Sequence, residues 1–291
     1  MKTWISFLAF VAPLAAIVPT APGGVFTAAY LPQSAISGAS PRYDSVVMIT
    51  NFRSDGLNPL SSGVYVISPT GQTGIVTSAH GTWGYSSLEI RTGANAITSP
   101  TSITSFPGVI SFDPRYVHTN PAGRRYDLAV FPISLPGITP VPYLTEPPAM
   151  NTLFEIVDYG VPTIVGNPHG AFDGIRRMGN NRFERTGASQ GWIGDMVVSF
   201  MDPGFAGGFA SETISTGGGS GGGTFVDIGG QLYLAGTQVN FSLPGYDYGE
   251  VVGATNIGNN DTFISGVLIP TPGTAGLLLM SGLLAGRRRR R

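Results

Sequence analysis

Three residues in this chain have the types needed for nucleophilic hydrolysis. The sequence offers only three histidines, so the choice of a proton shuttle working near neutral pH is narrow. His80 closes the strand-like run GIVTSAH. Asp127 follows 47 residues later, in RRYDLAVFPI at the start of another apolar run, and Ser220 comes a further 93 residues on, in TGGGSGGGTFV. A serine hydroxyl becomes a nucleophile when a base takes its proton and an acid orients that base. Each residue also has an ordinary role when taken singly: a satisfied surface histidine, an aspartate paired with Arg124 or Arg125, a serine in a linker. The case rests on the three together.

Six of the seven residues from Gly217 to Gly223 are glycine, with Ser220 in the middle. Gly/Ser runs commonly serve as flexible tethers. A reactive serine on a tight turn also calls for glycine, which tolerates unusual backbone angles and lets substrate approach closely. A candidate base and a candidate acid upstream favour the second reading.

The elements that must carry these residues read as strands. Apolar runs of strand length recur between turn residues: SVVMITNF, GVYVIS, GIVTSAH, SLEIRTG and LAVFPI, then, after the proline-rich stretch 135–148, TLFEIVDYG, DMVVSF, GTFVDI and QLYLAGTQV. Val, Ile, Phe, Tyr and Thr dominate them, as a pleated, half-buried surface requires. No segment between the two ends sustains a period near 3.6. The body is therefore expected to be all-β, in two halves joined by the proline-rich connector.

Three blocks in this order resemble those of the trypsin/chymotrypsin-like serine peptidases. TSAH resembles the family's Thr-Ala-Ala-His, YDLAVF its Asp-Ile-Ala-Leu, and GGSGG its Gly-Asp-Ser-Gly-Gly; the resemblance spans about residues 40–262. It implies two antiparallel six-stranded β-barrels, about 41–134 and about 151–262, joined by a connector at 135–150, within a peptidase domain of residues 22–265. It also implies Ser220 as nucleophile, His80 as base and Asp127 as the acid that holds the histidine tautomer. The N–H groups of Gly218 and Ser220 would form the oxyanion hole. Ile214, six residues before the nucleophile, would floor the primary pocket, and Thr237 and Val239 would lie on the substrate-lining strand. The implied substrate is a polypeptide, and no cofactor is implied.

One position departs from the pattern. Gly219 stands where the family usually carries an aspartate, which in enzymes activated by trimming pairs with the freed N-terminal amine. Two readings follow. Other contacts set the loop and the enzyme has no zymogen step, or the glycine run is too loose to preorganise the hole and the protein is a weak or silent homologue.

Composition bounds the alternatives. Lys2 and Arg287 to Arg291 account for six of the 16 basic residues, which leaves ten against all 17 acidic ones and a body charge of about −7. No basic surface suited to nucleic acid is expected from that balance. With no cysteine, disulfides and thiolate metal sites are ruled out. His118 and His169 have no matching block and read as loop residues, and their spacing with His80 supports no metal site.

Both ends read as address labels. A single cation, an apolar stretch from Trp4 to Val18 and a run of small residues predict a signal peptide over 1–21, cut after Ala16 or Ala21; a buried first strand or a membrane anchor is the alternative. At the other end, Pro270 to Thr274, a short apolar run and five arginines resemble a PEP-CTERM sorting signal over 266–291. Short apolar helices are thus expected at both ends. The resemblance implies export across the inner membrane, engagement of a sorting machinery, and transient membrane association in the cell envelope or outside the cell.

Overall fold

A computed structural model describes residues 24–26, 40–118, 126–164, 172–187, 196–200, 213–214, 217–239 and 251–269. The apolar segments expected to form helices at the two ends lie outside these residues, as do Arg124, Arg125 and His169. No helix among the described residues is long and apolar enough to cross a membrane.

The described chain is mostly β. In the first half the strands are β1 (Gly24–Phe26), β2 (Val46–Arg53), β3 (Leu60–Ile67), β4 (Thr73–Thr77), β5 (Tyr85–Thr92), β6 (Ser102–Phe106), β7 (Ser111–Phe112), β8 (Ala129–Pro132) and β9 (Val141–Pro142). In the second they are β10 (Leu153–Asp158), β11 (Pro162–Ile164), β12 (Arg177–Arg182), β13 (Arg185–Thr186), β14 (Met196–Phe200), β15 (Thr213–Ile214), β16 (Gly223–Ile228), β17 (Gln231–Val239) and β18 (Val251–Asn256). Among the described residues two short α-helices accompany them, α1 (Ala79–Thr82) and α2 (Asp261–Val267). Each of the nine apolar runs of the sequence contributes a strand.

Two large sheets hold most of these strands. The first runs β6-β5-β2-β3-β4-β8-β7, with β9 pairing onto β3; the second runs β12-β10-β16-β17-β18-β14-β13. Apart from β3 with β9, every pairing in both sheets is antiparallel. Each sheet rests on six strands of four residues or more, with two-residue strands added at β7, β9 and β13. The connector crosses between the sheets: Val66 pairs with Val141, and the Leu144 N–H then donates to the Leu234 carbonyl at 2.9 Å.

Strand alternation explains why these runs are apolar on consecutive residues rather than on every second one. Successive side chains point to opposite faces. In β2, Val47 and Ile49 face a core with Tyr65, Ile75, Leu88, Ile90 and Phe131, all from the first sheet. Val46 and Met48 face the other way, into a core shared with Val157, Phe225, Leu232 and Leu234 of the second sheet. Phe154, Ile156, Val226 and Ala235 form the second sheet's own core. Each curled sheet thus wraps one core and packs on its partner through another, and fully burying one such side chain contributes about 1.5–3 kcal/mol. The seam between the sheets is where residues from both can meet.

Candidate active site

His80 and Asp127 meet because the strands that carry them are neighbours. β4 and β8 pair antiparallel from Gly74 with Pro132 to Thr77 with Ala129. Beyond Thr77 the chain turns into α1, which carries His80 at its second position, while Asp127 lies two residues before Ala129 at the same end of the pair. The Asp127 carboxylate is completely buried and accepts twice from His80, from the backbone N–H at 2.8 Å and from Nδ1 at 2.5 Å. A bond from Thr255 Oγ1 to the Asp127 carbonyl, at 3.3 Å, ties this corner to the second sheet.

Ser220 arrives from the second sheet, on the loop that leads into β16. Its Oγ lies 2.9 Å from His80 Nε2. An ionised carboxylate can only accept, so the Asp127 contact puts the histidine proton on Nδ1. Nε2 is then the acceptor, and the Ser220 hydroxyl donates to it. The side chains grade from dry to accessible: Asp127 has no exposed surface, Ser220 is 7% exposed, and the His80 side chain is 20% exposed.

The glycine run is held along its length. Four successive carbonyls each accept a hydrogen bond: Gly217 from Val161 N–H at 2.7 Å, Gly218 from Ser62 Oγ at 3.2 Å, Gly219 from Gly222 N–H at 2.8 Å, and Ser220 from Ser62 N–H at 2.8 Å. The peptides here are trans, so each N–H points opposite to the carbonyl of the preceding residue. Fixing the Gly217 and Gly219 carbonyls therefore aims the N–H groups of Gly218 and Ser220. Gly218 and Gly221 both hold φ at +84°, the region glycine enters without penalty. A Cβ at Gly221 would also overlap the Ser62 carbonyl oxygen and Thr77 Oγ1. This glycine run packs against the end of the first sheet.

The other sequence-derived residues fall in three places. Ile214 lies in β15, whose backbone pairs with β1 at Val25. Thr237 and Val239 lie in β17 with no exposed surface. His118 stacks on Trp83, with ring centroids 5.0 Å apart and planes at 10°, and its Nδ1 lies 3.1 Å from Tyr116 Oη. Trp83 directly follows α1, so this aromatic group flanks the His80 helix; no sequence block marked it. Among the described residues no three His, Asp or Glu side chains gather as metal ligands would.

No family model matches the sequence, and no curated protein matches it. The fold does have counterparts among solved structures. The mouse serine protease neuropsin aligns with a TM-score of 0.61 at 18% identity, over 79% of this chain and 96% of its own. HL collagenase aligns with a TM-score of 0.57 at 15% identity, over 77% and 93% of the two chains. An inactivated protease paralogue of the scabies mite aligns with a TM-score of 0.57 at 15% identity, over 79% and 97%. The chain is thus similar in fold to trypsin/chymotrypsin-like serine proteases.

Proposed function

We propose that this chain is an exported serine endopeptidase whose two large sheets are the two six-stranded barrels of the chymotrypsin-like fold. The observation that carries the reading is the continuous contact from Asp127 through His80 to Ser220, built from both sheets and ending on the loop that holds Gly218 and Gly221 at positive φ. Its substrate is a polypeptide. The segment 1–21 directs export, and the segment 266–291 holds the chain at a membrane until a sorting machinery acts on it.

The chemistry follows from the proton positions. As Ser220 Oγ forms a bond to the substrate carbonyl carbon, its proton passes to His80 Nε2. The imidazolium so formed lies against the Asp127 carboxylate, which stabilises it and keeps the ring in place. The carbonyl oxygen takes the electron pair and is met by the N–H groups of Gly218 and Ser220, each such donor contributing about 3 kcal/mol in comparable sites. Collapse breaks the C–N bond, with the Nε2 proton going to the leaving amine, and leaves an ester on Ser220. Water then repeats the sequence, giving up its proton to His80 and releasing the acid. Ile214 gives the primary pocket an aliphatic floor with no carboxylate, which favours apolar over Arg or Lys side chains.

Gly219 favours a second reading, a silent homologue acting as a surface binding or matrix protein, and one structural neighbour is an inactivated paralogue. Against it, the loop that Gly219 leaves without a side chain has every carbonyl from 217 to 220 engaged. The test is digestion of unfolded polypeptide by the full chain beside its Ser220→Ala variant. Fragments formed by the parent alone support a peptidase; an intact substrate with both supports the silent homologue.

A further inference from the structure

Ser62 stands apart from the catalytic contact yet donates twice to the nucleophile loop. It lies in β3 with no exposed surface. Its backbone N–H donates to the Ser220 carbonyl at 2.8 Å, and its carbonyl accepts from Thr77 Oγ1 at 2.6 Å. Its hydroxyl accepts the Tyr159 N–H at 3.0 Å and lies 3.2 Å from the Gly218 carbonyl. With an N–H already directed at Oγ, the single hydroxyl proton goes to Gly218. The bond directions are therefore fixed.

We propose that the Ser62 hydroxyl is the positioning group that preorganises the oxyanion hole, a role that rests on the peptidase reading. The Gly218–Gly219 peptide is a rigid plate joining the two proposed donors, the N–H groups of Gly218 and Ser220. Neither residue carries a Cβ, so sterics leave this plate more freedom to turn than any other pair of residue types would. The carbonyls on either side of it are held by backbone N–H groups. The plate's own carbonyl is held by a side chain, and Gly219 has none to offer from within the loop. Ser62 links it to Tyr159, at the end of β10, and through its own backbone to β3. Losing the hydroxyl would leave the two donors aimed only by the bonds to the Gly217 and Gly219 carbonyls on either side. The link between them would be free to turn and their relative orientation loosened, while Ser220 and His80 stayed in contact. The loss should fall on the transition state, where charge builds on the oxygen, and not on substrate binding.

The test uses the full chain, its Ser62→Ala and Ser62→Thr variants, a peptide substrate and a peptide boronate, whose tetrahedral adduct places an oxygen in the hole. Ser62→Ala should lower kcat about tenfold or more, with KM within about twofold, and weaken the boronate by the same factor as kcat. Ser62→Thr, which keeps the hydroxyl, should recover most of both. An unchanged kcat in Ser62→Ala, a loss confined to KM, or equal damage in the two variants would overturn the assignment. So would loss of the thermal transition in Ser62→Ala, which would make the residue structural. A parent chain inert to both substrate and boronate would instead overturn the peptidase reading, and the role of Ser62 with it.

Discussion

His80 Nε2 lies 2.9 Å from Ser220 Oγ, although 140 residues separate them and they come from opposite sheets. The contact exists only where the two sheets pack together. Anything that shifts one sheet against the other should therefore be read in activity before it is read in secondary structure.

Asp127 holds His80 through two bonds in a dry corner. Asp127→Asn keeps the shape but presents an amide to Nδ1, which favours the wrong tautomer. We expect kcat to fall about 10⁴-fold. Peptide hydrolysis followed beside circular dichroism checks this, and a variant within tenfold of the parent would remove Asp127 from the mechanism.

Gly221 combines a φ of +84° with direct packing on Ser62 and Thr77. Gly221→Ala adds a methyl group where there is no room and backbone strain as well. A destabilisation of about 2–4 kcal/mol is expected from urea unfolding, together with loss of activity. Parental stability in this variant would show that the loop packs differently.

Tyr159 gives a pH signature. Burial pushes its phenol up from 10.0 to about 12, against the lowering effect of Arg176. The neutral form is favoured in the folded state, so this contribution is complete below about pH 10 and is lost as pH rises towards 12. It amounts to about 2–3 kcal/mol. Its hydroxyl donates to the Gly93 carbonyl at 2.6 Å, so Tyr159→Phe should cost about 1 kcal/mol at pH 7. Over pH 10 to 12 the variant should lose less stability than the parent. Urea unfolding at several pH values checks both signs, and parallel curves would contradict the assignment.

What the sequence revealed depended on whether a residue's neighbours in the chain explain it. The apolar runs became strands because burial on one face or both is written in their composition, and His80, Asp127 and Ser220 each sit in a recognisable local block. β12 carried no such signal: its sequence RMGNNR is polar, and it is buried as a strand with Arg177 paired to Asp173. β1 is three residues long and has partners far along the chain, in β11 and β15. Ser62 was invisible for the same reason, since its hydroxyl partners lie 97 and 156 residues away. Thr237 and Val239 were legible as residues of β17, where six consecutive positions from Leu234 to Val239 are buried. The looseness that glycine suggests at 217–223 is offset by bonds from β3 and from the residue after Gly160, none of which is local in sequence.

The central claim is that Ser220 is an activated nucleophile. The most direct measurement is labelling of the full chain with a fluorophosphonate probe, beside Ser220→Ala and His80→Ala. A working triad labels the parent on Ser220 and neither variant. A folded parent that takes no label, or one still labelled after His80→Ala, would contradict it.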